Sequence, residues 1–518
     1  MHEHTPAGLT LSPDTVLLGE DVLAVARGAA AVRLSDGAIT AVERGRAAVE
    51  ALAASPDPVY GVSTGFGALA RRHIPAADRE RLQRSLIRSH AAGSGPVVET
   101  EVVRAMALLR LRTLASGRTG VRRELVALLA DLLNAGITPE VHEFGSLGCS
   151  GDLAPLAHVA LALMGEGWVR DAQGTRLDAA TALSQAGLEP VILKAKEGLA
   201  LINGTDGMLG MLLLAVADIT DLVRTADVTA AMSIEALLGT DRVFAADLQQ
   251  LRPHPGQRAS AGNLCRLLAD SPIIDSHRTP DCTRVQDAYS LRCAPQVHGA
   301  VRDTLQHAAA VADRELASII DNPVVMPDGR VESNGNFHGA PIAYVLDFLA
   351  IAVADLASIA ERRTDRMLDT ARSGGLPPFL ADDPGVDSGL MIAQYTQAAL
   401  ASECKRLAVP ASVDSIPSSA MQEDHVSMGW GAARKLRSAV DALRQVLAIE
   451  AMTAARALDL RAPLLPAPGT AAAVAAVREA VAGPGPDRHL SPEIAAATDL
   501  IKRGEVLAAV STAIGELQ

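Results

Sequence analysis

Aromatic side chains are scarce in this sequence of 518 residues, which contains six Phe, four Tyr and two Trp. Residues of the apolar set AVILMFWYC nevertheless make up 49% of the chain, so the core must be built from Ala, Leu, Val and Ile. A core of this kind favours closely packed helices over an aromatic-rich β-sandwich. A chain this long and this apolar buries a large core and is not disordered.

A basic excess is also missing, since 47 Lys and Arg stand against 60 Asp and Glu, for a net charge of −13. The chain is therefore not expected to bind nucleic acid or anionic membranes. The opening residues MHEHTPAGLT lack the basic-then-apolar order of a secretory signal. The apolar run after Ile342 contains Asp347 and Asp355, so it does not supply the ~20 uncharged residues that span a bilayer.

Cysteine is rare too, with five residues and no CxxC pair. This usage favours a reduced, cytoplasmic protein over a disulfide framework or a zinc knuckle. The HExxH, EF-hand, GxGxxG and Walker patterns are also absent from the sequence. We therefore expect neither a metal nor a nucleotide as cofactor.

Helical periodicity dominates the sequence. One apolar face repeats over 125–133 and ends at Gly136, a second repeats over 342–359, and a third over 436–447. Such helices pack side by side, so we predict a mainly α fold: a long antiparallel helical bundle with a smaller N-terminal region of helices and loops. Strand signals are few and lie mostly before residue 70. Short helices are expected from 466 to the end.

Segments rich in Gly and polar residues, which form six groups, interrupt these helices, and loops of this kind often carry the site of a rigid scaffold. They are VYGVSTGFG (59–67), RSHAAGSG (88–95), GSLGCSGDLAPL (145–156), LINGTDG (201–207), VQDAYSLRC (285–293) with SNGNFHG (333–339), and SSAMQEDHVSMGW (418–430).

The most specific of these is the segment 145–156. Its glycines permit backbone conformations that other residues avoid, and Asp152 precedes an apolar run whose first turn it can cap. A GxSxG nucleophile is excluded, because the order is Gly148-Cys149-Ser150-Gly151 and no strand precedes it. On spacing alone, a glycine-rich loop that caps a helix is the simpler interpretation.

The run CSGDLAPL (149–156) resembles the signature of the aromatic amino acid ammonia-lyase family, in which an Ala-Ser-Gly triplet cyclises to 4-methylidene-imidazol-5-one (MIO). The resemblance extends over roughly residues 60 to 460, because seven further motifs occur in the family's order. Within the family the chain is most similar to the histidine-specific branch of the actinobacterial kind. Those motifs are YGVSTGFG, RSHAAG, INGTDG, RPHPGQ, VQDAYSLRCAPQ, NGNFHG and QEDHVSMGW.

The resemblance implies that MIO forms from Cys149-Ser150-Gly151. The amide nitrogen of Gly151 attacks the carbonyl carbon of Cys149, and a Cβ at residue 151 would hinder that approach. Ser150 supplies the hydroxyl that leaves as water. Cys149 contributes only its carbonyl carbon to the ring, so Cys in place of the family's Ala should be tolerated.

The resemblance also implies the reaction: non-oxidative elimination of ammonia from L-histidine to give trans-urocanate. MIO captures the substrate amine, and a base removes the β-proton. By resemblance that base is Tyr60, although a phenol with a pKa near 10 must have its pKa lowered, or be positioned very well, to act near neutral pH. Asn203 and Phe337 are expected beside the substrate and MIO.

A further group of expected substrate-binding residues lies in 286–292. Arg292 follows Tyr289 by three residues on a predicted helix and Gln286 by six, so Tyr289 and Arg292 share one face. The guanidinium fork of Arg292 suits the substrate carboxylate.

Substrate choice is assigned to His90, Glu423 and Met391 by the same resemblance. An imidazole substrate needs a hydrogen-bonding partner and a carboxylate able to hold charge, whereas lyases acting on phenylalanine tend to have an apolar residue at the position of His90. Glu423 is also a candidate for proton transfer.

The family implies a homotetramer whose sites are shared between subunits. We expect an N-terminal domain (1–205) with the tyrosine loop and the triplet, a central long-helix bundle (206–465) and a short C-terminal helical segment (466–518). These expectations leave close alternatives: a tyrosine or phenylalanine ammonia-lyase, or an MIO-dependent aminomutase.

Two more distant alternatives are weaker. SIPSSAMQED (415–424) faintly resembles the mobile loop of fumarase/aspartase-type lyases, which use a Ser base without MIO, but the intact CSGDLAPL disfavours that class. A non-catalytic helical assembly protein would be expected to carry substitutions at Tyr60, Ser150, Asn203 or Arg292, and the sequence has none.

Overall fold

The computed structural model describes residues 8–55, 58–65, 67–69, 71–280, 282 and 285–518. The chain divides into two compact units, each assembled from three stretches of sequence. The first unit comprises Met1–Leu214, Ala309–Leu346 and Ala411–Arg434, and the second comprises Ala215–Ala308, Asp347–Pro410 and Lys435–Gln518. The predicted division into three consecutive domains is drawn on a different basis and stays a prediction.

Helices predominate among the described residues, so the mainly α prediction is confirmed. The α-helices are Gly19–Ala26, Asp36–Ala54, Arg79–His90, Thr100–Ala115, Arg123–Asn134, Leu153–Leu163, Ala179–Gln185, Glu197–Ile202, Asp206–Ala236, Ala246–Gln250, Pro255–Leu267, Pro272–Ser276, Tyr289–Arg292, Ala294–Leu316, Ala340–Leu368, Met391–Leu407, Gly429–Asp459, Pro468–Arg478, Ser491–Lys502 and Glu505–Ile514.

The three predicted apolar faces lie on helices Arg123–Asn134, Ala340–Leu368 and Gly429–Asp459. Their leucines and valines are buried, because apolar residues at a spacing of three and four form one stripe along a helix. Gly136 ends the first of these helices as predicted: it has a φ of +69°, and its N–H donates to the carbonyl of Leu133.

The strands are short, and the expectation that they lie mostly before residue 70 is wrong. Within the described residues one parallel pair lies there, and the other strands follow residue 93. They have two to four residues each, which is too short for an alternating pattern to be visible in sequence. The paired strands are Leu9–Leu11 with Val32–Leu34, Ser94–Val97 with His142–Phe144, Trp168–Arg170 with Thr138–Pro139 and Arg176–Asp178, and Val324–Val325 with Val331–Glu332.

One described helix, Ala340–Leu368, is long and apolar enough to cross a membrane by length and composition alone. Its most apolar 18-residue window has a mean hydropathy of 2.0, and 61% of that window is buried inside the protein. The helix also carries Asp347, which pairs with Lys435 at 2.8 Å. Burial and an internal ion pair are typical of a core helix.

The helices of the second unit are held together by a buried carboxylate. Glu450 accepts hydrogen bonds from the hydroxyls of Thr229 (2.7 Å) and Ser233 (2.9 Å) and forms an ion pair with the fully buried guanidinium of Arg363. A buried charge with this many partners is costly to disrupt, because removing one partner leaves the other uncompensated.

Candidate active site

Two cavities of the first unit share part of one wall. Their volumes are about 600 Å³ and about 450 Å³, both within the range typical of small-molecule sites. Tyr60, Ser150 and Glu423 line both cavities. His90 and Asn203 line the larger cavity, whereas Cys149 and Phe337 line the smaller one. The first unit thus brings seven of the predicted site residues together.

The loop that carries the triplet is fixed from the side of residues 427–430. The hydroxyl of Ser427 donates to the carbonyl of Gly148 at 3.0 Å, and the N–H of Met428 donates to the carbonyl of Leu147 at 2.9 Å. The indole of the buried Trp430 donates to the carbonyl of Glu143 at 2.7 Å. These bonds hold the triplet at the start of helix Leu153–Leu163.

Gly151 occupies a position that only glycine fits. Its φ is +77°, and a Cβ at this residue would overlap the carbonyl oxygen of Gly204. The backbone of Asp152 continues the contact, since its N–H donates to the same oxygen at 2.7 Å. The triplet is therefore packed tightly against the backbone that follows Asn203.

Asp152 does not cap the helix that it precedes, contrary to expectation. No side-chain capping bond forms there; instead its carboxylate accepts from the N–H of Met208 (2.9 Å) and the hydroxyl of Ser146 (3.2 Å). It thereby binds the first turn of helix Asp206–Ala236, whose free N–H groups attract negative charge. Burial, with the nearby charge of Asp206, raises the pKa of Asp152 to about 7.

Tyr60 lies in a turn that is tightly packed at Gly61. Gly61 has a φ of +73°, and a Cβ there would come within 2.7 Å of the Leu199 side chain. The N–H of Gly67 donates to the Tyr60 hydroxyl at 3.4 Å. Burial raises the pKa of Tyr60, and the charge of Glu423 raises it further, against the lowering effect of the Gly67 N–H. In the single chain, the phenol of Tyr60 is therefore protonated at neutral pH.

His90 is the last residue of helix Arg79–His90, and the helix fixes its tautomer. Its Nδ1 lies 2.9 Å from the carbonyl oxygen of Leu86, which accepts and cannot donate, so Nδ1 carries the hydrogen. Burial lowers the pKa of His90, which favours the neutral ring. The remaining nitrogen, Nε2, is then an acceptor.

Asn203 is buried directly after helix Glu197–Ile202, and its amide has one unused acceptor. The Oδ1 atom has no hydrogen-bond partner among the described residues, whereas Nδ2 donates to the carbonyl of Asn322 at 3.4 Å. The backbone of Asn203 is fixed by the buried Arg110, which donates to the Asn203 carbonyl at 2.8 Å and to that of Ile320 at 2.8 Å. An orphaned, positioned acceptor at a cavity wall is suited to a ligand donor.

Glu423 is the common electrostatic neighbour of the site. Its carboxylate accepts from the hydroxyl of Ser418 at 2.8 Å. Its charge adds to the effect of burial in raising the pKa of Tyr60 and of Cys149, and it partly offsets the lowering of the His90 pKa by burial. Burial, and then Glu423, raises the pKa of the Cys149 thiol to about 12. Because the thiolate is the nucleophilic form, Cys149 is not a nucleophile at neutral pH.

The remaining predicted site residues lie in the second unit and line neither cavity. Tyr289 and Arg292 bound a four-residue helix, and the guanidinium lies 4.7 Å from the Tyr289 ring centroid, so the predicted shared face is confirmed. Gln286 precedes that helix and is not part of it. Tyr289 is 72% exposed. Met391 begins helix Met391–Leu407 and lines a separate cavity.

Two arginines at the cavity walls were missed by sequence reasoning. Arg72 lines the larger cavity and Arg71 the smaller one. They lie a few residues after the tyrosine loop. Their closeness to that loop was a signal in the sequence, but no motif singles them out. The described residues contain no group of three or more His, Cys, Asp or Glu suited to a metal ion.

Comparison with known proteins agrees with this geometry. A sequence model of the family described as aromatic amino acid lyase matches residues 17–479. A protein named histidine ammonia-lyase from Streptomyces coelicolor is 66% identical over 499 residues, covering 96% of this chain and 97% of its own.

Solved structures of the same kind superpose on nearly the whole chain. A tyrosine aminomutase from Streptomyces globisporus has a TM-score of 0.92 at 38% identity, covering 99% of this chain and 100% of its own. A histidine ammonia-lyase from Trypanosoma cruzi has a TM-score of 0.88 at 38% identity, covering 98% and 95%.

Proposed function

Because the chain belongs to the aromatic amino acid lyase family, we propose that it is a histidine ammonia-lyase, which eliminates ammonia from L-histidine to give trans-urocanate. The observation that carries the proposal is the 66% identity to a histidine ammonia-lyase over almost the full length of both chains. The side chains expected for this reaction, Tyr60, His90, Ser150 and Glu423, line cavities with a common wall. We place the enzyme in the cytoplasm.

The triplet Cys149-Ser150-Gly151 fits the MIO group. Cyclisation needs an unhindered amide at residue 151, and the site admits no side chain there. The buried Oδ1 of Asn203 has no partner in the part of the chain that the structure describes, and Asn203 lines a cavity wall together with Ser150. When formed, MIO supplies an electrophile for the substrate amine. Metal and nucleotide cofactors are not part of the proposal.

Tyr60 is proposed as the base that removes the β-proton of the substrate. The free chain holds its pKa above the ordinary value, so the phenol must lose its proton under the influence of a positive charge. Positive charge on the substrate nitrogen, which that nitrogen must carry in order to leave as ammonia, would supply it at the wall that Ser150 and Tyr60 share. Glu423 opposes ionisation of Tyr60 and is proposed to act in proton transfer.

His90 and Glu423 are proposed to select an imidazole substrate. The Nε2 atom of His90 is left as an acceptor, because Nδ1 donates to the carbonyl of Leu86, and the carboxylate of Glu423 is an acceptor as well. The ring of L-histidine carries an N–H donor, whereas the ring of phenylalanine has none. Discrimination follows because phenylalanine would leave these half-buried acceptors unpaired.

We propose that Gln286, Tyr289, Arg292 and Met391 reach the substrate from neighbouring copies in a homotetramer. Tyr289 is largely exposed, and the Nε atom of Arg292 is buried with no hydrogen-bond partner among the residues described for the single chain. A guanidinium binds a carboxylate by two parallel hydrogen bonds, so Arg292 is assigned to the substrate carboxylate.

An aminomutase is the second candidate, since the tyrosine aminomutase structure matches the fold with a TM-score of 0.92. Its identity to this chain is 38%, against 66% for the histidine ammonia-lyase. Purified protein is incubated with L-histidine and with L-tyrosine, and both urocanate absorbance and free ammonia are measured. We expect urocanate and ammonia from L-histidine; a β-amino acid product or turnover of L-tyrosine alone would contradict the proposal.

The role of Ser150 is tested by Ser150→Ala, with the exposed Ser184→Ala as matched control. Ser150→Ala is expected to lose nearly all activity together with the absorbance of MIO, because the hydroxyl that must leave is absent. Ser184→Ala should match the wild type. Full activity in Ser150→Ala would refute the MIO assignment.

The shared site is tested by mixing two inactive variants, Tyr60→Phe and Arg292→Ala, in one cell. If both residues act in one site but come from different copies, mixed tetramers contain some intact sites and recover activity. Each variant alone should stay inactive. Mixed assemblies with no recovery would contradict the shared arrangement.

A further inference from the structure

His158 is a half-buried side chain that none of the roles above uses. It lies on helix Leu153–Leu163, which begins two residues after the triplet. Its Nε2 accepts a hydrogen bond from the backbone N–H of Gly93 at 3.2 Å. Gly93 follows His90 by three residues, so this bond joins the helix of the triplet to the chain that leaves His90.

The contact around Gly93 is close on more than one side. A Cβ at Gly93 would lie 3.0 Å from His158 Nε2 and 3.2 Å from the Cβ of His142. Strand Ser94–Val97 begins at the next residue and pairs with strand His142–Phe144. The chain after His90 is therefore seated between this strand and the imidazole of His158.

His158 is neutral at physiological pH, which this bond requires. Burial, and then the electrostatic interaction with His142 on the neighbouring strand, lowers the pKa of His158 to about 4. A neutral imidazole that accepts through Nε2 carries its hydrogen on Nδ1. Protonation would turn Nε2 into a donor facing another donor, and the bond would be lost.

We propose that His158 is a positioning residue, which holds His90 at a fixed place relative to Ser150 by anchoring Gly93 to the helix that follows the triplet. The proposal rests on the proposed function, because it assumes that His90 reads the imidazole ring while Ser150 belongs to the electrophile. A displaced His90 would bind that ring less well, with less effect on the chemical steps at the triplet.

The test compares His158→Leu, His158→Gln and the exposed control His489→Leu. Leu removes the acceptor, so the KM for L-histidine should rise about three- to tenfold, with a smaller change in kcat. The preference for L-histidine over L-phenylalanine should fall by a similar factor. Gln places an amide oxygen near the position of Nε2 and should restore most of both. His489→Leu should match the wild type.

Gly93→Ala approaches the same contact from the other side and gives an independent variant. It should also raise KM, and its effect combined with His158→Leu should be smaller than the product of the two, since both remove one interaction. His158→Leu that lowers the melting temperature but leaves KM and substrate preference unchanged would overturn the proposal. If His158→Leu does not fold, an unchanged KM in Gly93→Ala would overturn it.

Failure of the proposed function gives a different result. Wild-type protein that releases ammonia from L-tyrosine and not from L-histidine would overturn the function itself. The KM for L-tyrosine in the His158 and Gly93 variants would then still decide whether this contact positions the substrate-reading wall.

Discussion

The buried carboxyl of Asp152 makes the stability of the fold depend on pH. Its pKa rises from an ordinary 3.8 to about 7 in the folded chain, with burial as the first cause. Between these values the folded state keeps the proton, while the unfolded state has lost it. Stability therefore falls as pH rises through this interval, because the unfolded state binds fewer protons than the folded one.

The size of the effect follows from that interval. It covers about three pH units, and each is worth about 1.4 kcal/mol, so about 4 kcal/mol of stability is lost between pH 4 and pH 7 through this one group. Asp152→Asn keeps an oxygen for the N–H of Met208 and abolishes the titration. We expect its stability to change less over this range than that of the wild type.

Thermal unfolding of wild type, Asp152→Asn and the exposed control Asp131→Asn is measured from pH 4 to pH 8 at one protein concentration. The difference in melting temperature between Asp152→Asn and the wild type should move in favour of Asn as pH rises, whereas the control should follow the wild type. Parallel curves for wild type and Asp152→Asn would refute the argument, whatever their separation.

Three further predictions concern the same unit. Gly151→Ala should lose activity and MIO absorbance because its Cβ has no room, whereas Gly262→Ala, which meets nothing within 4 Å, should keep both. Glu423→Gln should move the limb of the kcat/KM profile that rises with pH, which reports deprotonation of the base, to lower pH, since Glu423 raises the pKa of Tyr60. An unmoved limb would contradict this. Lys196→Met should lower the free energy of unfolding by about 3–5 kcal/mol, as measured with denaturant, because its buried carboxylate partner is left as an uncompensated charge. A decrease of less than about 1 kcal/mol would contradict this.

The helices were predictable from sequence, and so was the meeting of Tyr60, His90 and Ser150 at the walls of adjoining cavities, but the electrostatics of those walls were not. The apolar stripe over 125–133 and the capping Gly136 specify a helix locally. The order of motifs supports the family resemblance, and from that resemblance Tyr60, His90 and Ser150 were expected to lie near one another. The direction of the Tyr60 pKa comes from burial and from Glu423, which lies more than 350 residues away in sequence. Local patterns carry no information on such contacts.

Two other features escaped prediction for the same reason. Asp152 was expected to cap the helix next to it, yet Met208 provides its partner, and both arrangements satisfy the same local preference for a carboxylate at a helix N-terminus. His158 stands in an apolar helical run, where a histidine is normally a satisfied core residue. The tertiary contact with Gly93 is what suggests a positioning role for His158, and that contact is not visible in the sequence.

Burial acts in opposite directions on the two groups proposed to read and to deprotonate the substrate. It raises the pKa of the Tyr60 phenol and lowers that of the His90 imidazole, so that both are neutral in the free chain. A neutral His90 is what recognition of a ring N–H requires, whereas a neutral Tyr60 is inactive as a base. The neutral His90 that recognition requires is therefore already present, whereas ionisation of Tyr60 requires a nearby positive charge. In the proposed reaction, the positive charge that the substrate nitrogen must carry in order to leave as ammonia would supply it, so that Tyr60 would act as a base only with substrate bound.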